Sequence, residues 1–355
     1  MERRVDWDDA ERWASAVLSA AGVDQAHAEA MAWGMCEAQA IGVSTHGLVR
    51  VLHYLDTLKD RGVNPAPDIA TLVDTPVTTL IDADGGYGYE PMRMLADDLV
   101  RKSGEVGIAF GGVRDSHHFG AASIYATRMA RKGRAAFVLT NATANLAAPS
   151  STRPVLGNNP IAVAVPADRG PVCADIAMSH VAFGKIRLAA RRGEPIPEGW
   201  ARDEHGATTT DAAAAVRAGL LEALGGHKGF ALAALIEIIA GAMTGSPFGS
   251  ESKAHGNPAG GVGHFAIAID PESMVGLDEL VARVERLAEE LLAASRPGDP
   301  QYLPGHHEAS SRREAEERGL AIPEDVVDML RAASERTGVP FDLHPALAVT
   351  EEATQ

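Results

Sequence analysis

Two short segments carry the side chains best suited to proton transfer and anion binding. Ser44-Thr45-His46-Gly47-Leu48-Val49-Arg50 sets an imidazole four residues before a guanidinium. Residues four apart share one face of a helix. A helix over Gly47–Asp60, capped by Thr45, therefore aims His46 and Arg50 together, opposite the apolar stripe Leu48, Val51, Leu52, Leu55 and Leu58. An imidazole so placed can protonate a carbonyl oxygen while the Arg holds a neighbouring carboxylate through two N–H bonds. The plain alternative is a solvated polar helix face. The second segment, Ser116-His117-His118-Phe119-Gly120, joins a β-like run to a helix. Loops after strand ends commonly carry active-site groups in α/β domains. Its alternative is a turn capped by Ser116, with His118 as a partly buried hydrogen-bonding residue.

Two further segments suit a phosphate. Asp175-Ile176-Ala177-Met178-Ser179-His180 is followed by Gly184-Lys185, and Gly225-Gly226-His227-Lys228-Gly229 opens an apolar helix. Glycines permit close backbone approach, and a helix N-terminus with a Lys favours phosphate. A Gly-rich turn with one exposed Lys is the competing reading.

The elements that must position these groups can be read from periodicity. The first sixty residues are helical, with Asp6 and Asp24 as caps. β-like runs follow at Val77–Ile81, Gly107–Val113, Ala135–Thr140, Ile161–Val165, Val172–Ile176 and His264–Ile269. Helical patterns over Pro91–Arg101, Ala121–Lys132, Val181–Arg191 and Lys228–Thr244 alternate with some of them. Helices return at Leu277–Ser295, Ser311–Arg318 and Pro323–Arg336. The expectation is an α/β fold: a helical part from residues 1–70, a cofactor-binding α/β domain over 71–275, and a second helical part over 276–355 that packs with the first. Gly245–Gly263, rich in Gly, Ser, Pro and His, is expected to be a mobile loop.

Composition narrows the function. The 355 residues carry 48 acidic against 32 basic side chains, a formal charge of −16. That disfavours nucleic acid and anionic membranes, and makes the few cations near the motifs matter for any anionic ligand. Two distant cysteines, Cys36 and Cys173, imply neither a disulfide framework nor a Cys-based zinc site and fit a reducing cytoplasm. The His pairs 117/118 and 306/307 are adjacent in sequence, so no metal site is expected. Phe230–Met243 is short for a membrane span, is interrupted by Glu237, and reads as a buried helix. Gly261–Ala266 formally matches the dinucleotide fingerprint, but a loop precedes it and a β-like run follows, so it is not a Rossmann turn.

Taken in order from about Ala38 to Pro323, these segments resemble the malate/L-lactate dehydrogenase family that is unrelated to the Rossmann dehydrogenases. The matching pieces include Gly42 to Gly47 with Arg50, Ser116 to Gly120, Asn141, Gly157-Asn158-Asn159-Pro160, Asp175 with Ser179, Gly184-Lys185-Ile186, Ile196 to Ala201, Thr209-Thr210-Asp211, Gly225 to Gly229, Gly263-His264-Phe265 and Pro304-Gly305. The resemblance implies a family-specific fold around a mixed or antiparallel sheet, NAD or NADP as cofactor, and active sites near a homodimer interface. It implies catalytic roles for His46, His118 and Arg50, and substrate binding by Thr45, Arg50 and Asn141. It implies cofactor contacts from His118, Asp175, Ile176, Ala177, Met178, Ser179, Lys185, Lys228, Gly263, His264, Phe265, Pro304 and Gly305. The implied reaction interconverts a small anionic 2-oxo acid and a 2-hydroxy acid. The alternatives are a cyclic imino acid reductase and a non-catalytic member of the fold. Departures occur at Thr45, Asp115, Ser150-Ser151 and His306, where the family has Ser, Asn, Gly-Gly and Glu.

Overall fold

The computed structural model describes residues 2–59, 62–252 and 261–344. Strand β1 (Glu2–Val5) leads into α1 (Trp7–Ala20) and α2 (Gln25–Ala40). Asp6 and Asp24 cap these helices by accepting from the Asp9 and Ala26 amides. The third helix, α3, covers Arg50–Lys59, so it begins three residues later than the periodicity suggests. Ser44–His46 forms a separate 3-10 turn before it. Thr45 is therefore not the helix cap, and His46 is not in the first turn. Gly47, its backbone extended at ψ −154°, breaks the helical path between them. Asp60, the expected last residue, lies outside the described residues.

The middle of the chain builds β2 (Ala70–Asp74), β3 (Thr78–Asp82), α4 (Tyr89–Val106), β4 (Ile108–Ser116), α5 (Ala122–Arg131), β5 (Ala135–Thr140), β6 (Ile161–Val165) and β7 (Val172–Ile176). Next come α6 (Phe183–Arg192), β8 (Ala201–Arg202), β9 (Thr208–Thr209), α7 (Ala212–Ala218), β10 (Leu220–Leu221) and α8 (His227–Ile236). A π turn over Glu237–Gly241 and a 3-10 turn over Ala242–Thr244 continue α8. The chain ends with β11 (Val262–Ile269), α9 (Leu277–Ala293), α10 (His306–Arg318), β12 (Leu320–Pro323) and α11 (Glu324–Thr337).

Seven strands form the main sheet in the order β2-β3-β4-β11-β5-β6-β7. Only β3–β4 is parallel; every other neighbouring pair is antiparallel. This is the mixed sheet expected. Gly261–Ala266 enters a strand rather than a helix, as its context requires. One face of the sheet is paved with small residues, among them Ala109, Ala136, Ala162, Ala164, Ala266 and Ala268, which lets α4 and α5 pack closely. The same apolar cluster continues through α1, α2, α3 and α11. A second cluster lies around Phe265, Leu139 and the α8 segment. The chain ends meet where β1 pairs with β12, and Trp13 Nε1 donates to Ser334 Oγ at 2.9 Å.

The α8 segment is not the buried helix expected. Gly229, Ala233, Ile236, Glu237 and Ala240 face inward, while Leu232, Leu235, Ile238 and Met243 are more than half exposed. Residues 253–260, the centre of the expected mobile loop, lie outside the described residues.

Candidate active site

The two sequence-predicted histidines meet. The His46 and His118 rings are stacked, 5.4 Å between centres and 15° from parallel. They arrive from separate parts of the chain, His46 on the turn before α3 and His118 on the loop after β4. Arg50 ties its end of the cluster together. Its Nε donates to the Thr45 carbonyl at 2.7 Å, and Thr45 Oγ1 lies 3.1 Å from His46 Nδ1.

Hydrogen bonds orient the His118 ring. The Gly120 amide donates to Nδ1 at 3.3 Å, and the Tyr54 hydroxyl lies 2.7 Å from the same atom. An amide N–H only donates, so Nδ1 is the acceptor and the neutral ring carries its proton on Nε2. Tyr54 then donates to Nδ1 and accepts from Tyr89, whose hydroxyl is 2.8 Å away. Burial raises the pKa of both phenols well above the ordinary value, so the relay is neutral. His46 behaves differently: burial, then the charge of Arg50, pushes its pKa down to about 4. At neutral pH it is an uncharged imidazole.

Beside the pair lies a cavity of about 310 Å³ lined by His46. Its walls include Ala121, Ala182 and Gly305, the residues that precede α5, α6 and α10. None of the three makes a side-chain cap hydrogen bond. Three helix N-termini therefore point the positive ends of their dipoles at one space. Asp175 reaches in from β7, and its Oδ2 accepts from the Ser123 amide at 3.0 Å. Burial raises its pKa against that hydrogen bond. Ser123 also lines the cavity, and its Oγ is buried without a hydrogen-bond partner. An orphaned hydroxyl and three convergent helix N-termini fit a polyanionic, hydroxyl-bearing ligand such as a dinucleotide.

The remaining expected residues divide. Ala177 and Gly305 line the cavity with Asp175. Ile176 is exposed at the end of β7; Met178 and Ser179 are buried, and Ser179 Oγ donates to the Val181 carbonyl at 2.9 Å. Lys185 and Lys228 are exposed on α6 and α8. The Leu224 amide donates to the Met178 carbonyl at 2.9 Å, which brings the start of α8 beside the Asp175–Ser179 segment. Pro304, just before α10, accepts from the Cys173 amide at 2.9 Å.

Four residues are enclosed instead. Asn141 Oδ1 accepts from the Gly263 amide at 2.8 Å, and its Nδ2 donates to Glu237 Oε1 at 2.9 Å and to the Pro247 carbonyl at 3.0 Å. Gly263 is a close-approach glycine: a Cβ there would sit 2.0 Å from the Ala240 carbonyl. His264 has no exposed surface, and Phe265 belongs to the second apolar cluster. None of the four lines the cavity.

Sequence reasoning passed over Tyr54, Tyr89 and Ser123. Tyr54 stands four residues after Arg50, a spacing that would have put it on the same helix face. The convergence of three uncapped helices had only a faint signal, the lack of a capping side chain at Ala121, Ala182 and Gly305. Among the described residues, no group of three or more His, Cys, Asp or Glu side chains could hold a metal ion.

Comparison with known proteins agrees with this architecture. The family described as malate/L-lactate dehydrogenase matches residues 5–331. A (2R)-3-sulfolactate dehydrogenase (NADP(+)) of Chromohalobacter salexigens is 37% identical over 341 residues, covering 94% of this chain and 98% of its own. A Delta(1)-pyrroline-2-carboxylate reductase of Ancylobacter novellus is 34% identical over 323 residues, covering 90% and 94%. The solved sulfolactate dehydrogenase of Methanocaldococcus jannaschii superposes with a TM-score of 0.84 at 30% identity, over 96% of this chain and 98% of that one. With its sheet order, its histidine pair and this match along nearly its whole length, the chain belongs to the malate/L-lactate dehydrogenase family.

Proposed function

We propose that the protein is an NAD(P)-dependent oxidoreductase that interconverts a small 2-oxo acid and the corresponding 2-hydroxy acid. The observation that carries this reading is the stacked His46–His118 pair, with Arg50 at its side, against a cavity ringed by uncapped helix N-termini. The amides at the starts of α5, α6 and α10 would hold the cofactor, with Ser123, Asp175 and Ala177 beside them and Lys228 at the surface. When bound, the nicotinamide supplies or accepts the hydride at the substrate's C2.

The chain's own side chains do the rest. Arg50 keeps its Nη atoms for the substrate carboxylate while Nε is engaged by Thr45, which sets the plane of the fork. In the reductive direction His118 acts as the imidazolium: it gives the Nε2 proton to the developing alkoxide, is left as a neutral imidazole, and is reprotonated from solvent. Tyr54, whose hydroxyl can donate to or accept from Nδ1, and Tyr89 behind it hold the ring in place. His46, uncharged at neutral pH, directs a neutral N–H at the substrate oxygen without competing for the proton. Both parts contribute to the cleft: His46 and Arg50 come from residues 1–70 and the start of α10 from 276–355, while His118, Asp175 and the starts of α5 and α6 come from 71–275.

We also infer a homodimer in a reducing cytoplasm, with no membrane and no nucleic-acid partner. The exposed apolar face Leu232, Leu235, Ile238 and Met243 is suited to a second copy. The stretch His227–Thr244 is long and apolar enough to cross a membrane by composition alone. Its inner face, however, carries Glu237, which accepts from Asn141 and Asn159 inside the fold. Light scattering of the purified protein tests the dimer.

The functional test is a panel of 2-oxo acids and cyclic imino acids with NADH and NADPH, followed by reduced-nicotinamide absorbance. Turnover of at least one 2-oxo acid is expected. Turnover of cyclic imines alone would establish the imine reductase instead. Absence of both turnover and tryptophan-to-nicotinamide energy transfer would establish a non-catalytic member.

A further inference from the structure

The cavity beside His46 has two unlike ends. Helix α5 forms one wall of it. Ser123, Thr127 and Arg131 stand four residues apart on one face of that helix, and all three line the cavity. The ten residues of α5 carry this wall over about 15 Å. Where α5 begins, the cavity is closed by Gly120 and by His46, stacked on His118. Where α5 ends, the wall is Arg131.

Arg131 shares its carboxylate. Its Nη1 lies 3.5 Å from Glu37 Oε2, and Arg312 of α10 holds the same oxygen more closely. Arg312 has a second partner, Glu316, at 3.1 Å. Among the described residues Arg131 makes no ion pair besides the one with Glu37. Burial, then the charge of Arg312, lowers the Arg131 pKa, and Glu37 offsets this only in part. A guanidinium stays charged in a protein, so Arg131 is a charge that its surroundings under-compensate. Two other carboxylates line the cavity. Asp175 belongs to the opposite end, where it accepts from the Ser123 amide, two helical turns from Arg131. Glu308, one turn before Arg312, is exposed and forms no ion pair with Arg131.

We propose that Arg131 binds the 2′-phosphate of NADP(H), so that the protein takes NADP(H) in preference to NAD(H). With the nicotinamide beside His46, a dinucleotide laid along α5 brings its adenosine ribose to the far end of the cavity. Only NADP(H) carries a phosphate on that ribose. A phosphate monoester has a charge of about −2 and three acceptor oxygens, and a guanidinium meets it with two parallel N–H bonds. The start of α10, whose Gly305 and Ala309 line the cavity, adds the positive end of its dipole. NAD(H) offers a hydroxyl in the same place and leaves Arg131 with its shared Glu37. This inference rests on the NAD(P)-dependent reading above.

The test is one of binding. NADPH and NADH are titrated into the full chain and followed by tryptophan-to-nicotinamide energy transfer. The unaltered protein should bind NADPH at least about tenfold more tightly. Bound NADPH should be displaced by 2′,5′-ADP at lower concentration than by 5′-AMP, a comparison that needs no variant. Arg131→Met should weaken NADPH roughly 10- to 100-fold, the scale of one charge-assisted hydrogen-bonded pair, and leave NADH within about threefold. Arg131→Lys should recover part of the loss, and Arg191→Met, on the exposed surface of α6, should match the unaltered protein. Equal losses for both dinucleotides, no preference for NADPH, or equal displacement by the two adenosine phosphates would overturn the assignment of Arg131. An unaltered protein that binds neither dinucleotide would overturn the NAD(P)-dependent reading itself.

Discussion

His118 precedes Phe119 in the chain and His264 stacks on its ring, and the two imidazoles have opposite fates. His118 stacks on His46 at the cavity wall. His264 stacks on the Phe119 ring at 4.3 Å and has no surface exposed. Both nitrogens of His264 are engaged: Nδ1 is 2.7 Å from Thr140 Oγ1, and Nε2 is 2.9 Å from Ser116 Oγ. The ring pins β4, β5 and β11 together beside the His118 loop, and burial pushes its pKa down to about 3. Both residues sit in motifs that point to function. One stacks on the cavity-lining His46; the other fixes the loop on which that first imidazole stands.

Substitution of the first ring should have the largest effect. His118→Gln is expected to lower kcat by about 10²- to 10⁴-fold, the range for loss of a general acid, with NAD(P)H affinity retained in a fluorescence titration. His46→Gln should keep the neutral-pH limb of the pH–rate profile. If that limb vanishes in the His46 variant and persists in the His118 variant, the two roles are exchanged.

Next in size is Arg50→Lys. A lysine cannot make the two-pronged contact, so kcat/KM should fall roughly 10- to 100-fold with cofactor affinity unchanged. Weakened NAD(P)H binding with intact turnover would move Arg50 to the cofactor side of the cleft.

His264→Gln should act on stability rather than on chemistry. Loss of two buried hydrogen bonds and of the stacking contact should lower the unfolding free energy by about 2–4 kcal/mol, read by denaturant titration. Its pH dependence has a definite sign. The folded-state pKa of about 3 lies below the ordinary 6.5, so the unfolded chain binds the extra proton between those values. The stability contributed by the neutral ring is full above pH 6.5 and is lost as pH falls toward 3. The His264 variant should show a flatter stability profile in that window. A folded variant with wild-type stability and a raised KM for cofactor would instead make His264 a ligand-contacting residue.

The smallest change is expected for Lys228→Ala. An exposed charge at the start of α8 contributes little in water, so cofactor affinity should weaken less than about tenfold.

Much of this architecture was legible in the chain. β5, β6 and β7 stand out as short β-like runs with the bounds the structure shows, and Asp6 and Asp24 as caps by their residue type. The rejection of Gly261–Ala266 as a Rossmann turn followed from what flanks it. Local pattern failed where backbone geometry decides. The periodicity of α3 runs unbroken back to Leu48, yet the extended Gly47 puts His46 in a separate turn. It failed again for α8, where apolar composition does not say which face the fold leaves exposed.

Element types, the residue types for proton transfer and anion binding, and the family are all written in the chain, because these depend on local spacing and on the order of motifs. Tertiary structure alone decided which motif residues share a space. His46 and His118 are 72 positions apart and stack, whereas Asn141, Gly263 and His264 bond to one another's surroundings and close off from the cavity. The physical reason is that a polar side chain meets a ligand only if the fold leaves its hydrogen bonds unmade. That property belongs to the assembled neighbours of the residue, and no spacing along the chain encodes it.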